Sequence, residues 1–61
     1  MNRVVKILMQ RDGMTKEEAV ELIQETKEEM NEAIEAGEYG WAEEVFEGNL
    51  GLEPDYIIDI M

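Results

Sequence analysis

The sequence predicts an all-α protein, a compact bundle of three helices plus a short C-terminal helix, in a single domain over residues 1–61. Three observations carry that expectation. Apolar residues recur at i, i+3, i+4 and i+7 through the middle of the chain. Gly13, Gly37 and Gly51 and the one proline, Pro54, fall where such helices would stop and restart. With 61 residues and no cysteine, the chain cannot rely on disulfides to hold a loop-rich fold. A domain this short buries only about 60% of its extended surface, so it needs well-packed helices, self-association, or both.

The first helix is expected over residues 2–12. Val4, Ile7, Leu8 and Arg11 follow helical spacing, Val5 and Met9 widen the apolar face, and Gly13 suits the left-handed residue that ends a helix. The β-branched Val4, Val5 and Ile7 also fit a short strand, so residues 4–9 are open between the two. A lone strand would have no partner, which favours the helix.

The second helix has the clearest signature. In Thr15-Lys16-Glu17-Glu18 the threonine hydroxyl can accept from the Glu18 N–H while the Glu18 carboxylate reaches back to the Thr15 N–H, a capping box. Glu17 and Glu18 also suit the positive end of the helix dipole. Ala19, Leu22, Ile23, Thr26, Met30, Ala33 and Ile34 then form one stripe, and glutamates fill the opposite face. The like charges at i, i+4 are weakly destabilising. Gly37 is the stop, so the helix is expected over about residues 15–36.

A third helix is expected from Tyr39 or Gly40 to about Asn49, on the stripe Ala42, Val45, Phe46, Asn49 and Leu50, with Trp41 off it. Gly48 weakens it by about 1 kcal/mol relative to alanine, and Gly51 ends it. Pro54 opens the last helix at the position where a missing N–H is not needed. Tyr56, Ile57, Ile60 and Met61 give this segment an apolar face. It is two turns at most and depends on docking, either on the second helix or on another chain.

Charge narrows the function. Sixteen acidic side chains face five basic ones, a net −11. Residues 1–16 hold Arg3, Lys6, Arg11 and Lys16 against Asp12, whereas beyond them Lys27 is the one base among fifteen acids. The basic start is expected to lie across the acidic remainder and relieve its self-repulsion. A chain this negative is repelled by nucleic acid and by anionic membranes, so direct binding to either is not expected. A basic surface on another protein is the partner the charge fits. No run of residues is long and apolar enough for a transmembrane span, and no signal peptide or lipidation motif is recognised, which predicts a cytoplasmic protein.

Chemistry-bearing residue types are scarce. The chain has no Cys, Ser or His, so nucleophilic catalysis and zinc ligation lack their side chains. No glycine-rich phosphate loop is present. Paired carboxylates abound, but acid–base work needs two in a concave, partly dry site that a domain this small has little room for. Glu28, Glu32 and Glu35 share a face that could attract a divalent cation only weakly, since no calcium-loop pattern accompanies them. The expectation is a non-enzyme with no cofactor and no metal. Five methionines are many for this length; Met9 and Met30 read as core fillers. Tyr39, Trp41, Phe46 and Tyr56 read chiefly as core that packs the third helix on the second. Trp41 and Tyr56 beside an acidic rim also fit an interface.

Two resemblances add context. Gly37-Glu38-Tyr39-Gly40-Trp41-Ala42, followed by Phe46, Leu50 and Pro54, resembles the second half of a tetratricopeptide repeat. In that family the alanine lets two helices approach closely and the aromatic fills between them. Since an array needs about three units, the resemblance implies a similarly packed helix hairpin without a solenoid groove. Arg11-Asp12-Gly13-Met14-Thr15, the glutamate-rich helix and Leu50-Gly51-Leu52-Glu53-Pro54-Asp55-Tyr56 together resemble small acidic proteins of bacteriophages and prophages. That resemblance implies a phage setting and carries over no functional residue.

The sequence thus points to a non-catalytic interaction module presenting an acidic helical surface to a basic protein. In one version it stands in for the phosphates of a nucleic acid. The candidate partner-binding residues are Glu21, Glu25, Glu28, Glu32, Glu35, Trp41, Glu44 and Tyr56. The alternative is a structural or assembly protein that forms a homodimer through its apolar C-terminal helix and the Met9 face.

Overall fold

A computed structural model describes residues 3–60. Three α-helices and a terminal 3-10 helix follow in order: α1 (Arg3–Asp12), α2 (Lys16–Glu35), α3 (Tyr39–Leu50) and the 3-10 helix (Pro54–Asp59). The described residues form no strand. The all-α class is therefore as expected, and residues 4–9 are helical. Positions Asn2 and Met61, assigned above to the first and last helices, lie outside the described residues.

Helix α2 is the axis. At about 1.5 Å per residue its 20 residues span roughly 30 Å, close to the 33 Å length of the whole molecule. Both of its ends are fixed locally. The Glu18 N–H donates to Thr15 Oγ1 at 3.2 Å and the Thr15 N–H donates to Glu18 Oε1 at 2.9 Å, closing the predicted capping box. The Thr15 backbone N–H first, and the Thr15 side chain second, hold the Glu18 carboxyl below its ordinary range. At the other end Gly37 has φ 78°, a left-handed conformation that side chains resist. Its N–H donates to the Ile34 carbonyl at 2.9 Å and the Glu38 N–H donates to Ala33 at 2.8 Å. This pair of bonds is a Schellman motif, and it turns the chain straight into α3.

The α2–α3 hairpin is the most extensive packing in the molecule, and α1 packs on α2 beside it. Val4, Val5 and Leu8 of α1, Ala19, Ile23, Met30 and Ala33 of α2, Ala42, Phe46 and Leu50 of α3, and Ile60 form one buried core. Ala33 and Ala42 are both buried in the hairpin and Phe46 is fully enclosed. Met30 is in the core, whereas Met9 is half-buried against it.

Two arginines connect distant parts of the chain. Arg11 donates from Nη2 to the Leu50 carbonyl at 2.6 Å and from Nη1 to the Gly51 carbonyl at 3.0 Å. A cation thus meets the negative end of α3, where carbonyls lack helical partners. Arg3 makes a two-pronged contact with Asp59, Nε at 3.1 Å and Nη2 at 2.7 Å, and its guanidinium lies 5.2 Å from the centre of the Tyr56 ring. Among the described residues, this is the one ion pair that joins the basic start to the acidic remainder. Arg11 pairs instead with its own neighbour Asp12.

The last segment differs from the expectation in two ways. It is a 3-10 helix, with Tyr56 N–H donating to Glu53 and Ile60 N–H to Ile57, because six residues behind a proline are too few to recover the cost of an α-helical nucleus. It also docks chiefly on α1 and α3, not on α2. Ile60 is buried, Ile57 half-buried, and Ile58 is 79% exposed.

Candidate partner-binding surface

The five candidate glutamates of α2 form one face. Glu21, Glu25, Glu28, Glu32 and Glu35 stand at i, i+4, i+7, i+11 and i+14, a spacing that keeps side chains in register along a helix. All five are exposed. None makes an ion pair or a side-chain hydrogen bond within the described residues. The buried stripe Ala19, Ile23, Thr26, Met30 and Ala33 holds the opposite side of α2 against the core, so packing orients the acidic face outward.

The α3 candidates adjoin that face through a polar link that the periodicity did not reveal. Thr26 is fully buried; its hydroxyl donates to the Leu22 carbonyl at 2.8 Å and accepts from Asn49 Nδ2 at 3.3 Å. The same Nδ2 lies 3.4 Å from Glu29 Oε1. Asn49 therefore lies along the Glu29 flank of α2, the flank that Glu25 and Glu32 share by helical spacing. On α3, Trp41, Val45 and Asn49 are successive i, i+4 neighbours on one side. Trp41, 55% exposed, thus stands on the same side of the hairpin as Glu25, Glu29 and Glu32, and the exposed Glu44 lies one turn from it. The expectation that the aromatics are mainly core holds for Phe46 and fails for Tyr39 and Trp41. Helical phase turns Trp41 outward, and Tyr39 sits at the open start of α3.

Tyr56 is placed elsewhere. It is half-buried on the 3-10 helix, beneath the Arg3 guanidinium and away from the α2 face. Sequence spacing gave no sign of this, because the contact joins positions 3 and 56. Asn49 was legible only as a polar residue on an apolar stripe, opposite a threonine on another.

A depression lined by Lys16, Glu17, Val20, Glu21 and Gln24 is walled by α2 alone. No cluster of three or more acidic side chains is arranged to hold a cation among the described residues, and none of their helices is long and apolar enough to cross a membrane. No protein-family model matches this chain, and neither the curated proteins nor the solved structures contain a significant match to it.

Proposed function

We propose that this chain is a non-catalytic interaction module, of phage or prophage origin, whose helical bundle presents the acidic face of α2 to a basic surface on another protein. The observation that carries the reading is the row Glu21, Glu25, Glu28, Glu32 and Glu35, whose charges nothing inside the fold uses. Like charges along one helix cost stability, and complementary charge on a partner offsets that cost and speeds encounter. The absence of Cys, Ser and His supports a role other than nucleophilic catalysis.

The test compares two variants of equal net charge. One replaces Glu25, Glu28 and Glu32 with glutamine; the other replaces Glu43, Glu47 and Glu53. Binding of a lysine-rich peptide is measured by calorimetry at about 50 and 500 mM salt, between which the Debye length shortens several-fold. The α2 variant should bind more weakly than the other, and wild-type affinity should fall steeply with salt. Equal affinities in the two variants would mean that only net charge matters, and the reading would fail.

One observation favours the second reading, self-association in an assembly role. Ile58 is a large apolar side chain that the fold leaves almost wholly in water. Light scattering across a hundredfold concentration range distinguishes the two. A constant mass near 7.0 kDa supports the first reading, and a mass that doubles supports the second.

A further inference from the structure

Beside the acidic face, α3 has a side on which Trp41 and Gly48 are exposed and Val45 is half-buried against the core. Trp41, Val45 and Gly48 stand on it at i, i+4 and i+7. Gly48 has no positive φ, and a Cβ added there would meet no atom within 4 Å. Neither backbone conformation nor crowding inside this chain calls for glycine at a position where alanine would favour the helix. A helical glycine does permit another backbone to come close. The chain's one tryptophan stands two turns from the notch at Gly48, on an exposed site where aromatics serve as anchors.

Charge selects the occupant. The Asn49 link sets the Glu25, Glu29 and Glu32 flank of α2 along this side, and Glu44 adds a carboxylate from α3. No ion pair among the described residues neutralises it: Lys27 falls on the opposite flank of α2, and Arg3 and Arg11 are engaged elsewhere. A second copy of this chain would bring the same carboxylates, and an anionic membrane would be repelled. We propose, building on the acidic-surface reading, that the α2–α3 seam docks a basic amphipathic helix of a partner protein. The partner helix crosses α3 at Gly48, its apolar face covers Trp41 and Val45, and its lysines or arginines meet the Glu25–Glu29–Glu32 row. Helices in contact lie about 8–10 Å apart, and the lower end needs small residues at the crossing.

The probe is a lysine–leucine peptide of roughly 15 residues, long enough to form an amphipathic helix, added to the intact chain at low salt. Trp41 emission should shift to the blue and saturate. Gly48→Leu should raise the melting temperature, because the site is open and leucine favours helix, yet weaken binding about tenfold or more. Trp41→Ala, followed by calorimetry, should weaken it similarly. Binding that leaves Trp41 emission unchanged, or that Gly48→Leu and Trp41→Ala do not alter, would overturn the seam. If that binding were still lost on replacing Glu25, Glu28 and Glu32, the acidic-surface reading would survive. Absence of any binding at low salt would overturn both.

Discussion

Replacing Thr26 with valine should cost only about 1 kcal/mol, although the residue is fully buried and makes two hydrogen bonds. The change removes both bonds, worth about 1 kcal/mol each in net terms. It also removes the need to desolvate a hydroxyl and buries a methyl in its place, a gain of about 0.8 kcal/mol. Neither former partner is stranded. The Leu22 carbonyl keeps its place in the α2 ladder, and Asn49 is exposed, so its amide turns to water and Glu29. Thr26→Ala is different, because it empties the volume of both γ atoms and should cost about 2–3 kcal/mol. A 61-residue domain has only about 3–9 kcal/mol in total. Urea unfolding followed by circular dichroism at 222 nm, extrapolated linearly, separates the two cases. A loss of about 3 kcal/mol or more for Thr26→Val would refute the reasoning. It would mean that the polar link, and not apolar packing, holds α2 and α3 in register.

Three further outcomes follow from the structure. Phe46 is fully enclosed, and Phe46→Ala should cost about 3–5 kcal/mol, enough to abolish the cooperative thermal transition near room temperature. Gly51→Ala should lower the melting temperature by several degrees while Gly48→Ala raises it. Gly51 has φ 64° and its Cβ would lie 3.3 Å from Arg11 Nη1, whereas Gly48 is unstrained and open. Glu18 and Asp12 are both held below their ordinary carboxyl values, by the Thr15 backbone N–H and side chain and by the Arg11 guanidinium respectively. Each therefore adds stability above the unfolded values of 4.5 and 3.8, and that stability is lost as pH falls through the lower folded ones. Glu18→Gln, which keeps a capping-box side chain without its charge, should flatten the acid side of a melting-temperature profile; an unchanged profile would remove Glu18 from the account.

What the sequence made legible was short-range. Thr15 and Glu18, Gly37, Gly51 and Pro54 act within one turn of chain, and the α2 and α3 boundaries are found where those residues put them. The helix at 4–9 was open because β-branched residues are ambivalent over a few positions. It is decided by the burial of Val4, Val5 and Leu8 in the common core. The contacts that escaped were long-range and made by long side chains. Arg11 counted toward an amphipathic pattern, yet its guanidinium closes the end of a helix about 40 positions away. Tyr56 had the composition of an anchor and is covered by Arg3. The row of α2 glutamates was fully legible because exposure follows directly from helical phase, whereas the position of Trp41 beside it depended on Asn49.

The Arg3–Asp59 contact has a consequence for how this chain could be rewired. It brings side-chain atoms of residues 56 positions apart to 2.7 Å, and α1 lies against the 3-10 helix. A flexible segment leading from the 3-10 helix back to α1, which it contacts, would close the chain into a ring, and that ring could be opened between α1 and α2. There the Met14 N–H to Leu8 carbonyl bond, at 3.5 Å, is the longest backbone bond outside the helices among the described residues. In such a circular permutant the α2–α3 hairpin would leave the ribosome first, and α1 would be made last, onto a surface already formed.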